Sequence, residues 1–554
     1  MSKAINGKQR LVYFTIFVIL FALIILPVVT VFGEAVMVDG RFNLSNALQT
    51  IGDSENVTTI TNSLLLGLLV VIVSTVISTP LAFLLARTKF SRWKWLDVVL
   101  TIPFMTPPYI SSMGWILFMQ KRGLFQQMFP WTGSFSENFF SLGGLVLVMS
   151  FNVFPFMTTM LKNAILNIGV NLEESAAVSG GSFSYRLRKV MMPLLTGNYA
   201  IAMLLVFVKT LSEYGTPSTL GNRIGFYVFT TDIHRYASTA PIDFGKASSL
   251  SSVLVVICML MWLAQNYITT KHTYSLVGGK GKKEGLYSCR RITEILGGFY
   301  IALVILISVG IPYFSVVATS LIKLRGYGLA AGNFTFQHYV ELFTSNSKGW
   351  EALLTSTMLA VASATIASVL GTLIVVAIKK AGKWKGVIEG EALLPEMLPN
   401  IVLVIGLMLF WNKIYDFLPL YNTIGFMVLV YVVMFIPYTI QYVSSAYMQM
   451  GESLTEAGKV CGGSRFYVML HVTLPLIMRG VMQGWMMIFI IVFRELVAAS
   501  LISPPNVQTV STFIVREFEQ GSSSVAMAMA LICVLITATL LIILNYAVGR
   551  KKYD

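Results

Sequence analysis

The sequence predicts an all-α polytopic membrane protein with about 12 transmembrane helices in two parallel repeats of six. Two observations carry this prediction. The chain of 554 residues is 56% hydrophobic and only 12% charged, with a mean hydropathy of +0.74, whereas soluble domains carry about 25% charged residues. In addition, a polar segment at residues 173–195 returns in closely similar form at 455–477. The first observation places the chain in a lipid bilayer, and the second divides it into two halves.

Each predicted span is an apolar stretch of about 20 residues, the length that crosses roughly 30 Å of hydrocarbon. The twelve stretches lie near residues 11–32, 58–86, 96–119, 143–163, 197–213, 247–268, 295–320, 353–378, 388–411, 423–446, 479–498 and 522–548.

The net charge of +15 follows from membrane topology and does not indicate a nucleic-acid partner. With the N-terminus inside, most Lys and Arg fall in cytoplasmic segments, as at residues 87–94 and 379–385. Basic flanks stay on the cytoplasmic side during insertion, which is the positive-inside rule. We therefore expect a multi-pass protein of the cytoplasmic (inner) membrane with both termini in the cytoplasm.

The two polar segments align without a gap at a spacing of 282 residues, since Glu174 matches Glu456 and Gly180 matches Gly462. A repeat of this length is the repeat of a whole domain. We therefore expect a first repeat at residues 1–268, a Gly- and Lys-rich cytoplasmic linker at 269–294 and a second repeat at 295–554. Six spans per half give both repeats the same orientation in the membrane.

Both polar segments share one spacing pattern. A glutamate and two small residues come first, a glycine follows six residues after the glutamate, and a proline follows thirteen residues after the glycine. Small residues allow close backbone approach, glycine permits a turn that a side chain would obstruct, and proline suits the first turn of a helix. The residues are Glu174, Ser175, Ala176, Gly180 and Pro193 in the first segment, and Glu456, Ala457, Gly458, Gly462 and Pro475 in the second.

This pattern resembles the EAA motif (E-A-A-x-x-x-G-x9-I-x-L-P) of permease subunits of binding-protein-dependent ABC importers. Ser175 and Gly458 replace alanine, and valine replaces isoleucine in both copies. The resemblance implies a type I ABC importer permease fold, in which each motif forms a short helix that docks on an ATPase subunit. Two motifs in one chain imply a homodimer of ATPase subunits, together with an external solute-binding protein.

The sequence contains no ATP site of its own, because no Gly-Lys pair is followed by the Ser or Thr of a Walker motif. We therefore expect no enzymatic activity and no cofactor in this chain, with ATP and Mg²⁺ bound by partner subunits. The histidines are His234, His272, His338 and His471, which are scattered without metal-ligand spacing. The sequence therefore does not support a membrane enzyme, and we assign no metal ligand.

Three carboxylates are candidates for the substrate pathway. Glu213 and Glu495 are equivalent in the two repeats and fall near the outer ends of the fifth and eleventh spans, where ionisable groups usually face a cavity or a partner. The alternative for Glu213 is an ion pair with Lys209. Glu396 lies between two prolines that loosen its span, whereas Glu389 and Glu391 are better explained by solvation or by pairing with nearby lysines.

The segments 213–236 and 493–521 resemble those of ferric-iron importer permeases. This resemblance favours ferric iron, delivered by the binding protein and passed through a central pathway by alternating access. Related fused permeases carry thiamine, phosphonates or polyamines, so these substrates remain alternatives. A secondary transporter also has twelve spans in two parallel halves, but it would not need two ATPase-docking motifs.

Overall fold

A computed structural model describes residues 7–38, 41–271, 291–344, 347–378 and 381–549. The expected linker at 269–294 falls mostly outside these residues. The described part is largely helical, and a short antiparallel hairpin pairs β1 (Met37–Val38) with β2 (Arg41–Phe42).

The helices of the first half run in chain order to residue 271. They are α1 (Gly7–Leu20), α2 (Leu26–Val36), α3 (Leu44–Gly52), α4 (Ser54–Arg87), α5 (Lys94–Met105), α6 (Pro108–Met119), α7 (Leu124–Met128), α8 (Gly133–Asn138), α9 (Leu142–Asn167), α10 (Val170–Val178), α11 (Phe183–Arg186), α12 (Met192–Ser212), α13 (Phe229–Ser238) and α14 (Phe244–Lys271).

The second half repeats this order. Its helices are α15 (Arg291–Ile305), α16 (Ile311–Leu321), α17 (Gln337–Leu342), α18 (Lys348–Ile378), α19 (Lys385–Met397), α20 (Asn400–Lys413), α21 (Ile424–Gln449), α22 (Glu452–Val460), α23 (Arg465–Val468), α24 (Leu474–Phe493), α25 (Val497–Ile502), α26 (Val510–Gln520) and α27 (Ser523–Gly549).

The described residues hold ten helices long and apolar enough to cross a membrane, or eleven if α19 and α20 form one span bent by 110°. The sequence predicted about twelve. The difference arises at the third and ninth predicted spans, each of which is two helices. Prolines explain both breaks, because a proline removes a backbone donor and disfavours helix at the residue before it. α5 ends before Pro107, and α19 ends before Pro399.

The fifth and eleventh spans begin earlier than predicted. Residues 197–213 and 479–498 were expected to cross the bilayer, but the continuous helices run over Ser184–Ser212 and Phe466–Phe493. The stretches before Pro193 and Pro475 therefore belong to these continuous helices and not to a loop. The prolines do not start these helices.

A π-turn precedes each of these prolines and lets the helix pass through it. Leu187–Met191 lies before Pro193, and Met469–Thr473 lies before Pro475. The same arrangement recurs before Pro27 and Pro312 in the first span of each repeat. A proline has no N–H to donate and clashes with a carbonyl of the preceding turn, and the wider π-turn accommodates both effects.

The chain divides into two compact units that do not coincide with the sequence repeats. One unit comprises Met1–Ile51, Ile233–Val255 and Gln337–Asp554, and the other comprises Gly52–Asp232 and Val256–Phe336. Each unit thus combines the first span of one repeat with later spans of the other. The division into two sequence repeats and a linker stays a prediction.

In the unit built on Gly52–Asp232, α4 packs along α9, and α12 packs against both helices. Its buried core includes Leu81, Leu85, Phe154 and Ile301. In the other unit, α18, α21 and α24 form the corresponding three-helix group. Small residues bring these helices together: a Cβ on Gly484 would lie 2.9 Å from the Thr439 backbone. Such close approach is typical of membrane helices.

Two equivalent glycines lie where, within each unit, a helix packs closely against the first span of a repeat. A Cβ on Gly114 in α6 would lie 2.7 Å from the carbonyl oxygen of Pro312, beside α16. A Cβ on Gly406 in α20 would lie 2.6 Å from the carbonyl oxygen of Pro27, beside α2. The same residue type performs the same close packing in both units, as expected for a duplicated fold.

We predict that Gly406→Ala destabilises the protein by about 1–3 kcal/mol, because the added methyl group must displace a backbone carbonyl in a packed contact. Thermal unfolding of the purified chain in detergent measures this effect. The matched control is Gly390→Ala in α19, where an added Cβ meets nothing within 4 Å. Alanine favours helix there by about 0.5–1 kcal/mol, so the control should be neutral or stabilising. Equal shifts in the two variants would contradict the packing argument.

Candidate functional site

The first motif forms a short helix, α10, that ends in a Schellman turn. Gly180 adopts a left-handed φ of +81°. Its N–H donates to the carbonyl of Ala177 at 3.0 Å, and the N–H of Gly181 donates to the carbonyl of Ala176 at 2.8 Å. A residue with a side chain is disfavoured at this position, and glycine is the common choice. The spacing of the motif glycine thus reflects helix termination.

The second motif repeats this geometry in α22. Gly462 has a φ of +86°, its N–H donates to Lys459 at 3.0 Å, and Gly463 donates to Gly458 at 3.0 Å. Two segments 282 residues apart therefore end their helices with the same pair of hydrogen bonds.

A second glycine in each motif was missed by the sequence reasoning. A Cβ on Gly181 would lie 2.6 Å from the carbonyl oxygen of Ala176, and one on Gly463 would lie 2.7 Å from that of Gly458. The Gly-Gly pair is present in both copies and could have served as the signal. The small residue at position 458 also has a packing reason, because a Cβ there would lie 3.1 Å from Val468.

The tip of each motif helix presents an apolar side chain to solvent. Val178 is 90% exposed and Val460 is 87% exposed, and these residues occupy equivalent positions. The glutamates Glu174 and Glu456 are exposed beside them. Leu172 with Leu454, and Tyr185 with Tyr467, form two further equivalent exposed pairs. Exposed apolar residues of this kind are typical of a surface that contacts another protein or a membrane.

The remaining predicted motif residues lie on or next to this surface. Ser175 and Ala457 are exposed, Ala176 and Gly458 are half-buried, and the prolines Pro193 and Pro475 are exposed after their π-turns.

A buried ion pair anchors the first motif helix. Arg87, at the end of α4, contacts Glu173 of α10 with 2.8 Å between Nη2 and Oε1, and the two side chains are 1% and 4% exposed. The same Nη2 donates to the carbonyls of Ile165 and Ile168 at 3.0 and 2.8 Å. Arg87 therefore ties α10 to the end of α9, and the motif helix is held from beneath.

Different residues lie beneath the second motif helix. Thr455 stands where the first motif has Glu173, and a cavity of about 350 Å³ opens beside it. The lining residues are Val376, Tyr447, Thr455, Lys459, Phe466, Val468, Met469 and Thr473. Glu173 and Ile165, which both contact Arg87, correspond to Thr455 and Tyr447 in this lining. The two motif helices thus share their ends but differ in their support.

Glu213 and Glu495 end the two long helices α12 and α24. The Glu213 carboxylate accepts the backbone N–H of Thr216 at 3.1 Å, and that of Glu495 accepts Val497, Ala498 and Ala499 at 2.8–3.2 Å. Both carboxylates satisfy donors at the start of the next helical segment, as N-caps do. The alternative partner of Glu213, Lys209, lies over the rings of Phe104 and Phe156 at 5.4 and 5.1 Å.

The backbone at these two breaks is also held in the same way in both halves. Thr230 donates to the Glu213 carbonyl at 2.8 Å, and Ser511 donates to the Glu495 carbonyl. The helices that carry Thr230 and Ser511 are themselves capped by serines of the long helices α4 and α18. Ser63 accepts the N–H of Phe229, and Ser356 accepts that of Val510, both at 2.8 Å.

Glu396 has a different environment from these capping glutamates. It lies in the last turn of α19, next to the 110° break, and its side chain is exposed. Its carboxylate accepts a hydrogen bond from Gln441 of α21. Among the described residues no group of three or more His, Cys, Asp or Glu could hold a metal ion.

Comparison with known proteins identifies the family. The binding-protein-dependent transport system inner membrane component matches the chain twice, at residues 78–274 and 365–552, which together cover more than half of it. The chain belongs to this family. Its members are transport permeases, and the double match agrees with two permease repeats in one multi-pass membrane protein. The two matched regions contain the two motif helices.

Three relatives illustrate what the permease is similar to. It is 22% identical to the ferric transport system permease protein FbpB of Actinobacillus pleuropneumoniae, over 97% of this chain and 78% of the relative. It is 24% identical to the Fe(3+)-transport system permease protein FbpB 2 of Haemophilus influenzae, over 93% and 95%. A sulfate transport system permease protein, CysT of Salmonella typhimurium, is 22% identical over 36% of this chain and 71% of its own.

We predict that Arg87→Met or Glu173→Leu alone costs about 3–5 kcal/mol, because each leaves a buried charge without its partner. The double variant should recover much of this loss. Thermal unfolding gives the stability, and hydrogen exchange in α10 reports whether the motif helix is released.

The matched control is Lys89→Met, which removes the exposed pair with Glu294, whose side chains are 48% and 29% exposed. That pair should be worth less than about 1 kcal/mol. Additive losses in the Arg87 and Glu173 double variant would contradict the coupling of these two residues.

Proposed function

We propose that this permease is the transmembrane subunit of an ATP-driven importer for ferric iron. The assignment of ferric iron as the cargo rests on one observation. The chain is similar to two ferric transport permeases over 97% and 93% of its length. The sulfate relative, in contrast, covers only 36% of it. An external solute-binding protein delivers the iron, and the chain passes it inward by alternating access between its repeats.

The proposed ATPase partner is a homodimer. Val178 and Val460 offer the same apolar contact at the tips of two helices with the same termination, so two identical subunits can each receive one tip. The positive-inside rule favours a cytoplasmic location for both tips, because of their basic flanks, and ATP is available on that side. ATP and Mg²⁺ belong to these partner subunits, and the chain contributes no cofactor.

The pathway is proposed to use Glu213, Glu495 and Glu396 in two different roles. The first two hold the helix breaks at the ends of α12 and α24, since their carboxylates accept backbone N–H groups. They position the pathway walls. Glu396 has an exposed side chain and is the better candidate for contact with cargo.

We predict that Val178→Asp combined with Val460→Asp abolishes co-purification of the ATPase while the chain still inserts into the membrane. A charge at each tip must be desolvated in the contact that the exposed valines are proposed to make, which costs several kcal/mol. The matched control is Val340→Asp in α17, where the valine is 68% exposed but outside the motifs. Normal ATPase retention in the double variant would contradict the docking role.

We predict that a strain lacking this permease loses uptake of radiolabelled ferric iron and regains it when the permease is restored. Sulfate, thiamine, phosphonate and polyamine uptake are measured in parallel and should not change. If iron uptake persists in the deletion strain while one of the others falls, the cargo assignment is wrong. The restored strain should also lose uptake when it carries Val178→Asp and Val460→Asp.

A further inference from the structure

The exposed carboxylate of Glu396 is unusual for its position. It belongs to α19, which with α20 passes the test for a membrane span only as a bent pair. A charged side chain in a span does not face lipid, because burial of an ion in hydrocarbon is costly, and it faces a bundle interior or a water-filled cavity instead. Non-helical backbone at membrane depth occurs where it lines such a cavity. Both arguments favour a position for Glu396 on an aqueous pathway rather than against lipid.

Two oxygen-bearing side chains of the neighbouring helix α21 interact with this carboxylate. Gln441 donates a hydrogen bond to it through Nε2, and its amide also carries an oxygen that can accept or coordinate. Tyr438, one turn earlier, lies within electrostatic range of Glu396 and of Arg494. Carboxylate, amide and phenol oxygens are hard donors and suit hard cations.

The equivalent positions of the first repeat have the opposite chemistry. Glu396 corresponds to Phe104 and Tyr438 to Phe156, and these two rings stack with centroids 5.9 Å apart. The ammonium of Lys209 lies 5.4 and 5.1 Å from the two ring centroids, so a positive charge caps the aromatic pair. Its counterpart in the second repeat is Ile491. One repeat therefore offers oxygen ligands, and the other offers aromatic carbon under a cation.

We infer that Glu396, Tyr438 and Gln441 form a cargo-contact site for a hard trivalent cation, present in the second repeat alone. This inference rests on the proposed function, because ferric iron is such a cation. The equivalent surface of the first repeat offers the rings of Phe104 and Phe156 in place of oxygen ligands, so the proposed contact lies on one wall only. Contact on one wall avoids two competing sites along the pathway.

The proposed site should bind the cation weakly, because a transported ion must also be released. One carboxylate and two neutral oxygens supply a single negative charge, and Arg494 nearby opposes tight binding of a cation. Tight coordination of a metal ion needs several charged ligands, and the described residues offer no cluster of three. The site can orient the cargo without preventing its release.

Terbium(III), a hard trivalent ion whose luminescence is sensitised by a nearby tyrosine, provides a binding test that does not depend on transport. The purified full chain in nanodiscs is titrated with terbium while its tyrosines are excited. We expect Glu396→Gln and Tyr438→Phe each to remove a component of the emission that the wild type shows. The controls are Glu389→Gln, on the same helix, and Tyr415→Phe, a tyrosine 46% exposed outside the site. Unchanged emission in both site variants would overturn the inference.

Ferric uptake in the restored strain provides the second test. We expect Glu396→Gln to reduce uptake about tenfold, the effect of one lost charge-assisted contact, and Glu396→Asp to retain most of it. ATPase co-purification should stay normal in both variants, which separates cargo contact from misfolding. If wild-type permease imports iron and Glu396→Gln imports it equally well, only this inference fails. If wild-type permease imports no iron, the proposed function fails with it.

Discussion

The backbone N–H and C=O groups at every helix break in this protein need partners, because the hydrocarbon of a bilayer supplies none. The structure meets this constraint with side chains at matching positions in both halves. Glu213 and Glu495 accept N–H groups where α12 and α24 stop, and Thr230 and Ser511 donate to the carbonyls at the same breaks. The π-turns before Pro27, Pro193, Pro312 and Pro475 meet the same demand within continuous helices.

The two repeats agree at these irregular points of the backbone and also at the ends of the two motif helices, but they differ in what lies beneath those ends. The Schellman turns at Gly180 and Gly462 are the same in both halves. The support beneath them is not, since Arg87 and Glu173 form a buried ion pair under one motif helix and a cavity lies beside Thr455 under the other. In the proposed docking role, the partner contacts the end of the helix. What anchors that end can therefore vary between the repeats.

The sequence predicted features that depend on local spacing. Membrane insertion, the duplication and the two motif positions all followed from composition and from matched offsets, and family membership agrees with them. The glycines Gly180 and Gly462 were identified from spacing because helix termination is a local event. Gly181 and Gly463 were overlooked, although the Gly-Gly pair stands in both copies and a Cβ at either would meet a carbonyl oxygen.

Features that depend on distant residues could not be predicted. Arg87 and Glu173 are far apart in sequence, and no pattern indicates that they meet. Pro193 and Pro475 were interpreted as helix starts, because hydrophobic periodicity does not distinguish a start from a helix that passes through a proline by way of a π-turn. The breaks before Pro107 and Pro399 divide two apolar stretches that hydropathy alone treats as single spans. For that reason the described residues hold ten or eleven helices of span length where the sequence predicted about twelve.

The most direct test of the account is the subunit stoichiometry of the intact importer. Native mass spectrometry of the complex purified through this chain measures how many ATPase subunits accompany one permease. Two equivalent motif helices on one chain predict one permease with two copies of a single ATPase. A complex with one ATPase per permease, or with two different ATPases, would contradict the claim that both helices are equivalent docking sites.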